Sequence, residues 1–208
     1  MHVVFDLDGV LLDSERDLDW LERALTGTLE ELDLPVTEEN LERLYPGNLS
    51  DLERAAEAVD VPAEELWRVR NEHYVREKTE AIESGEIRPY DDVEIVREIA
   101  SRYPVSIVSN SPQSVVETFV DEAWLQGVFE GVIGRGTDLA AIEQLKPDTH
   151  PYERLVDAVG EDRFVYVGDS ASDREFAERT GMAFVRVDRE GGEVSDLRDV
   201  RARLAELE

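Results

Sequence analysis

Val3-Val4-Phe5-Asp6-Leu7-Asp8-Gly9-Val10 decides how the rest of the chain reads. Three apolar residues run into an acid, as a buried strand does where it ends at a site. A second acid follows one residue later, then a glycine suited to a sharp turn. Burying one carboxylate is costly, and burying two side by side is worse, unless a cation or a shared proton compensates. A plain strand that happens to end on acids has the same local pattern, because 50 of the 208 residues are Asp or Glu. The residues downstream decide between the two.

Outward from this strand the chain changes character twice. Residues 14–86 read as wholly helical. Ser14 is placed to cap a helix carrying Leu18, Leu21, Leu25, Leu29 and Leu32 on one face, and Thr37 opens a short helix to about Leu44. Tyr45-Pro46-Gly47-Asn48 is a loop. Ser50 with Glu53 reads as a capping box for a helix to about Val59, and Pro62 opens another that runs toward Ser84-Gly85. From Ile87 helix and strand alternate. Asp91 or Asp92 opens a helix through Ala100, and strands are expected at Val105–Val108, Val128–Ile133, Phe164–Val167 and Met182–Val187. Helices follow Ser111-Pro112, Thr149 and Gly168-Asp169, and a last one holds Leu197, Val200 and Leu204. Such alternation implies an α/β fold with a parallel sheet covered on both faces, interrupted by a helical insertion.

Composition limits the function classes. With 22 Lys+Arg against those acids, the formal charge is −28 and the sequence pI about 4.3. Nucleic acid and anionic membrane surfaces are therefore excluded as expected partners of the surface as a whole. The acids alternate with periodic apolar positions, so an acidic disordered tail does not fit. Cysteine is absent, which removes disulfides and thiolate chemistry, and three scattered histidines do not suggest a zinc site. No basic leader with an apolar core and no long apolar run is present, so the expected location is cytoplasmic. Among the bases only Lys78 and Lys146 are lysines. This balance resembles surfaces adapted to molar salt, where the Debye length is roughly 3 Å at about 1 M and self-repulsion is largely screened.

Three expected strands end in reactive polar groups: Asp6 and Asp8, then Ser109 and Asn110, then Asp169. In open α/β sheets functional groups gather at these carboxyl ends. In Gly168-Asp169-Ser170-Ala171-Ser172-Asp173 the four-residue spacing turns two carboxylates toward one point, which suits a hard cation with oxygen ligands; helix N-terminal stabilisation by Asp173 is the alternative. Lys146, followed by Pro147 in a chain that has nearly abandoned lysine, offers an ammonium to offset the carboxylates and hold a phosphoryl oxygen. Lys78 follows no motif and is expected on the surface.

Asp6-Leu7-Asp8-Gly9-Val10, Ser109-Asn110, Lys146-Pro147 and Gly168-to-Asp173 resemble, in order, the four motifs of the haloacid dehalogenase-like (HAD) hydrolase superfamily. The helical insertion resembles the α-helical cap of its phosphoglycolate phosphatase and β-phosphoglucomutase branch. The resemblance implies a doubly wound, Rossmann-like core from residues 1–13 and 87–208, with a cap from residues 14–86. It implies a Mg²⁺-dependent phosphatase acting on a small phosphorylated metabolite, as a monomer or homodimer. Asp6 would be the nucleophile that becomes an aspartyl-phosphate, and Asp8 the general acid and base. Mg²⁺ would be held by Asp6, the Asp8 carbonyl and Asp169, with Asp173 a ligand or its supporting neighbour. Ser109, Asn110 and Lys146 would bind the phosphoryl group. A phosphomutase shares this core. A haloacid dehalogenase has no use for an acid at Asp8. A phospho-accepting signalling module orders its acids and lysine differently, and a non-catalytic binding protein would be expected to lack a motif residue. Loop 45–49 is the candidate cap segment reaching the site, with an ordinary helix-to-helix turn as the other reading.

The charge balance generates the first prediction. The protein should lose structure, followed by circular dichroism, when moved from molar KCl into dilute buffer. Equal stability in both would refute salt adaptation.

Overall fold

A computed structural model describes residues 1–207. The chain begins with β1 (His2–Phe5) and a two-residue strand β2 (Leu12–Asp13), then runs through α1 (Asp19–Glu31), α2 (Glu38–Arg43), α3 (Leu49–Val59) and α4 (Ala63–Ser84) without a strand. It returns through β3 (Arg88–Pro89), α5 (Ile95–Ala100), β4 (Val105–Pro112), α6 (Gln113–Glu122), β5 (Gly131–Arg135) and a 3-10 turn (Leu139–Gln144). It closes with α7 (His150–Val159), β6 (Phe164–Gly168), α8 (Ala171–Thr180), β7 (Ala183–Arg186) and α9 (Leu197–Glu206). β2 and β3 pair antiparallel where the chain enters and leaves the helical block.

The main sheet has the order β5-β4-β1-β6-β7, and every pairing in it is parallel. β1 lies at its centre, with Val3 opposite Val105 on one side and Val165 on the other. This explains why its residues are apolar without interruption: a central parallel strand is covered on both faces. Alternation then divides the core. Val3, Phe5, Val105, Ile107, Val165 and Val167 face one layer, with α5, α6 and α9. Val4, Val108, Phe164 and Tyr166 face the other, with α7 and α8. The α/β fold with a helix-covered parallel sheet is as expected.

A third core, Leu25, Leu29, Leu44, Leu52, Leu66 and Trp67 among its members, lies within the helical block and also takes in Ile142 of the 3-10 turn. Trp67 Nε1 donates to the Asp138 carbonyl at 2.8 Å. Residues 134–145, which match no motif, are thus where the sheet-bearing part of the chain meets the helices.

Several helix starts differ from expectation, and a substitute side-chain cap accounts only for α3. α1 begins at Asp19, not after Ser14, which is buried beside the first turn; Leu18 is left 52% exposed. α3 is capped by Asn48, whose side chain accepts from Asp51 N, and not by Ser50. An Asn two residues upstream starts the helix earlier and satisfies one of its orphan N–H groups. α5 starts at Ile95, because Asp92 turns inward instead of capping. Its carboxylate accepts from Leu197 N at 2.6 Å, at the start of α9, and from Arg189 at 2.8 Å. The guanidinium lies 4.0 Å from the Tyr90 ring centroid and also donates to the Val10 carbonyl. This buried pair ties the chain after β7 to the segment following β1.

Breaking a buried ion pair from one side leaves an unpaired charge, so Asp92→Ala should lose about 3–5 kcal/mol. Adding Arg189→Met should recover part of the loss, as read from urea unfolding in high salt. A change below about 1 kcal/mol, the range of an exposed pair, would show that the pair is solvated.

Candidate active site

The carboxyl ends of β1, β4 and β6 bring their polar residues to one place. Asp6 follows β1 directly and its N–H donates to the Val167 carbonyl, which extends the ladder with β6. Its Oδ1 accepts from Leu7 N at 2.8 Å and pairs with Lys146 Nζ at 2.9 Å. Among the described residues Oδ2 makes no hydrogen bond. Burial raises the Asp6 pKa, Lys146 pulls it back and Asp173 and Asp8 raise it again, so it stands at about 7.

Lys146 is fully enclosed. Its ammonium reaches Tyr166 Oη at 2.6 Å, Asp173 Oδ1 at 2.7 Å and Asp6, and these partners use its three N–H donors. Its backbone is fixed by Asn110, whose amide accepts from Lys146 N at 2.8 Å and donates to Lys146 O at 3.2 Å. The Asn110 side chain therefore positions the lysine loop. Ser109 is buried, and its Oγ accepts from Ser111 N at 3.0 Å.

Asp173 lies in the first turn of α8. Its Oδ2 accepts from Ser170 Oγ and N, at 2.6 and 3.1 Å, while Ser170 caps the helix in return. Asp173 thus closes a capping box with one oxygen and holds Lys146 with the other. Asp169 is half-buried, and burial and then Asp173 raise its pKa to about 6. Gly9 packs against it at φ +73°, and a Cβ there would lie 2.1 Å from Asp169 Oδ2. Only glycine allows both this backbone angle and this approach.

One oxygen from each of Asp6, Asp169 and Asp173 lies within 4.8 Å of the others. This is an all-oxygen donor set, and two of its members are kept from ionising fully at neutral pH by burial and mutual repulsion. Both facts fit a hard divalent cation. The Asp8 side chain is outside this group.

Asp8 instead faces the helical block. Lys78 Nζ, from α4, donates to its Oδ1 at 2.6 Å, and Ser111 Oγ donates to its Oδ2 at 2.6 Å. Burial acts to raise the Asp8 pKa, but Lys78, Ser111 and Ser14 outweigh it and hold the carboxyl below its ordinary range. The expectation of a surface Lys78 is therefore wrong: only 2% of its side chain is exposed, and its ammonium sits 5.3 Å from the Trp20 ring centroid. Two signals for it were available. Lysine is as scarce at 78 as at 146, and Trp67, Asn71, Tyr74 and Lys78 recur at helical steps on one face of α4. Ser111, Ser14 and Tyr166 also belong to the site and carried no comparable sequence signal. Just before loop 45–49, the Leu44 carbonyl accepts from Arg70 Nε at 3.3 Å.

Comparison with known proteins identifies the family and the fold. The family described as haloacid dehalogenase-like hydrolase matches residues 3–187. A phosphoglycolate phosphatase of Aquifex aeolicus (strain VF5) is 27% identical over 192 residues, covering 86% of this chain and 80% of its own. Two solved structures share the fold. CbbY from Rhodobacter sphaeroides, in complex with phosphate, superposes with a TM-score of 0.65 at 19% identity, over 93% of this chain and 87% of its own. A protein from Haemophilus somnus 129PT, described as a predicted phosphoglycolate phosphatase, gives 0.63 at 24% identity, over 89% and 84%. No helix among the described residues is long and apolar enough to cross a membrane. With the family matched from β1 to the end of β7 and its motif residues gathered at one sheet edge, the chain belongs to the haloacid dehalogenase-like hydrolases.

Proposed function

We propose that the protein is a Mg²⁺-dependent phosphatase that hydrolyses a small phosphorylated metabolite through an aspartyl-phosphate on Asp6. The observation that carries this reading is the convergence of Asp6, Asp169 and Asp173 within 4.8 Å, with Lys146 between two of them. The curated relative, a phosphoglycolate phosphatase, supports it.

Asp6 Oδ2, free of hydrogen bonds, attacks phosphorus while Leu7 N and Lys146 hold Oδ1 and fix the carboxylate plane. A bond forms between Asp6 and phosphorus as the bond to the leaving oxygen breaks. Asp8 supplies a proton to that oxygen, then removes one from the water that attacks the aspartyl-phosphate, and the bond from Asp6 to phosphorus breaks to release inorganic phosphate and regenerate the carboxylate. Asp6, Asp169 and the Asp8 carbonyl would hold Mg²⁺, which supplies charge neutralisation for the phosphoryl oxygens. Asp173 positions Lys146, whose ammonium must exchange one of its three partners for a non-bridging oxygen, and Ser109 receives another. Asn110 contributes by fixing the Lys146 backbone. Residues 14–86 serve as the cap, and Lys78 carries the cap's charge to Asp8.

The Lys78–Asp8 pair favours the base form of Asp8. Protonation of a leaving group therefore requires that Lys78 release Asp8, and we propose that substrate entry or cap movement accomplishes this. A dehalogenase would not need this arrangement, because its leaving halide takes no proton.

Two outcomes test the roles. Asp6→Asn should abolish turnover of every substrate. Asp8→Asn should nearly abolish turnover of an alkyl phosphate but leave the first step with p-nitrophenyl phosphate, giving a burst and a trapped phosphoenzyme by quench and mass measurement. Equal slowing of both substrates without a trapped phosphoenzyme would remove Asp8 from this role.

Lys146→Ala should lower kcat/KM by several orders of magnitude. Contrary to its expected surface position, Lys78→Ala should also lower it, by about 10-fold or more, since a charge-assisted hydrogen bond contributes about 1.5–3 kcal/mol. A Lys78 variant with wild-type kinetics would leave Lys78 a packing residue only.

A further inference from the structure

Tyr166 has the largest fully buried side chain among the described residues, and the reaction above gives it no part. It points from β6 into the layer covered by α7 and α8, where its ring meets Phe176 edge-on, 5.2 Å between centroids. A buried phenol must place both its proton and its lone pairs. The proton goes to the Val108 carbonyl, at 2.8 Å the shorter of its two acceptor contacts; Asp173 Oδ1 is 3.4 Å away. Val108 belongs to β4, so the hydroxyl links the two strands that flank β1. Toward Lys146 the phenol is therefore an acceptor only, and Lys146 Nζ donates to it at 2.6 Å. Burial, and then Asp6 and Asp173, push its pKa well above the ordinary phenol range, so this acceptor is neutral.

The Lys146 ammonium thus holds two kinds of partner, the carboxylates of Asp6 and Asp173 and the uncharged oxygen of Tyr166. A non-bridging phosphoryl oxygen must replace one of the three. Asp6 cannot be given up freely, because Lys146 and Leu7 N together fix the plane from which Oδ2 attacks. Asp173 has Ser170 on Oδ2, and its side chain is 1% exposed. Without the ammonium, its Oδ1 would keep only the Tyr166 hydroxyl at 3.4 Å, and a buried carboxylate stripped of its cation is strongly disfavoured. Tyr166 loses least. Its proton stays on Val108, and its oxygen forfeits one contact to a charged donor.

We propose that Tyr166 is a positioning residue that holds the Lys146 ammonium in the free enzyme and yields it to the phosphoryl oxygen, so that its hydroxyl competes with phosphate and sets how firmly phosphate is held. This rests on the phosphatase reading and adds to it a control on product release. As inorganic phosphate departs, the third N–H of Lys146 returns to the phenol, which removes the cost of leaving a buried donor unpaired.

Tyr166→Phe removes the competing oxygen and keeps the ring. With Mg²⁺ in high salt, the inhibition constant of inorganic phosphate against p-nitrophenyl phosphate should fall about 10-fold or more. Tm should drop at the same time, because one buried ammonium proton is left without an acceptor. A constant that rises or keeps its wild-type value overturns the proposal. Phe176→Leu loosens the same ring without touching the hydroxyl. It should lower Tm and leave the phosphate constant unchanged; a matching fall there would assign the effect to packing and overturn the proposal as well. Where Tyr166→Phe does not fold, wild-type protein carrying carbon-13 at tyrosine Cζ decides the question. Of its six tyrosines, Tyr166 is 0% exposed and gives the resonance most shielded from a soluble paramagnetic agent. That resonance should move as inorganic phosphate is added with Mg²⁺, and a fixed one overturns the proposal. The broader reading fails separately. Wild-type protein that neither hydrolyses p-nitrophenyl phosphate nor binds phosphate removes the phosphatase reading and this role with it. Wild-type protein that does both, beside a Tyr166→Phe constant that has not fallen, removes only the role of Tyr166.

Discussion

Four carboxylates, Asp6, Asp8, Asp169 and Asp173, gather at one edge of a parallel sheet in a chain of formal charge −28. Removing a carboxylate from water costs several kcal/mol even after relaxation, and neighbouring like charges add to it. The edge can exist only if cations enter it, and two do. Lys146 stands between Asp6 and Asp173, and Lys78 closes on Asp8. The remaining imbalance falls on Asp6 and Asp169, the two acids with raised pKa values of about 7 and about 6. That uncompensated charge makes this point fit for a divalent cation.

The two lysines divide the work by origin. Lys146 comes from the sheet-bearing part of the chain and is immobilised through its backbone by Asn110 and through its ammonium by three acceptors. Lys78 comes from the helical block and touches the catalytic edge only through Asp8 and Ser111. One cation belongs to the rigid floor; the other arrives with the helices. Arginine predominates everywhere else, where multidentate pairing with surface acids suits its planar fork. At these two points a compact ammonium on a long stem fits a narrow space between oxygens.

The fold was largely legible because its signals were local. Uninterrupted apolar runs at Val3–Phe5 and Phe164–Val167 gave the central strands, and polar residues just beyond them gave the floor of the site. The helix starts were less legible: Asn48 and Ser50 are equally good caps on paper, and only packing chooses between them. Asp92 reads as a helix opener until Arg189, nearly a hundred residues away, is seen to occupy its carboxylate. Lys78 carried signals in its scarcity and its place on the Trp67 face of α4, but its pairing with Asp8, and the part of Ser111, were missed for a different reason. Their meaning depends on how the helical block docks against the sheet, and no short spacing encodes that. Residues 134–145 show the same limit, since they match no motif and yet receive the Trp67 indole.

The central place of β1 also governs how the protein can be made. Its four residues are synthesised before both strands that flank them, which are about 100 and 160 residues further along the chain. Until Phe164–Gly168 has been synthesised, the first strand has one open edge and the lone acid at its end has no second wall. Topologies dominated by such distant pairings fold slowly and expose strand edges while they wait. The helical block, by contrast, is contiguous in sequence, and its own core can assemble early. The nascent chain would therefore carry a formed helical module tethered to an unfinished sheet. A high density of acids along that chain keeps like-charged copies apart during this interval, even where salt has shortened the reach of each charge.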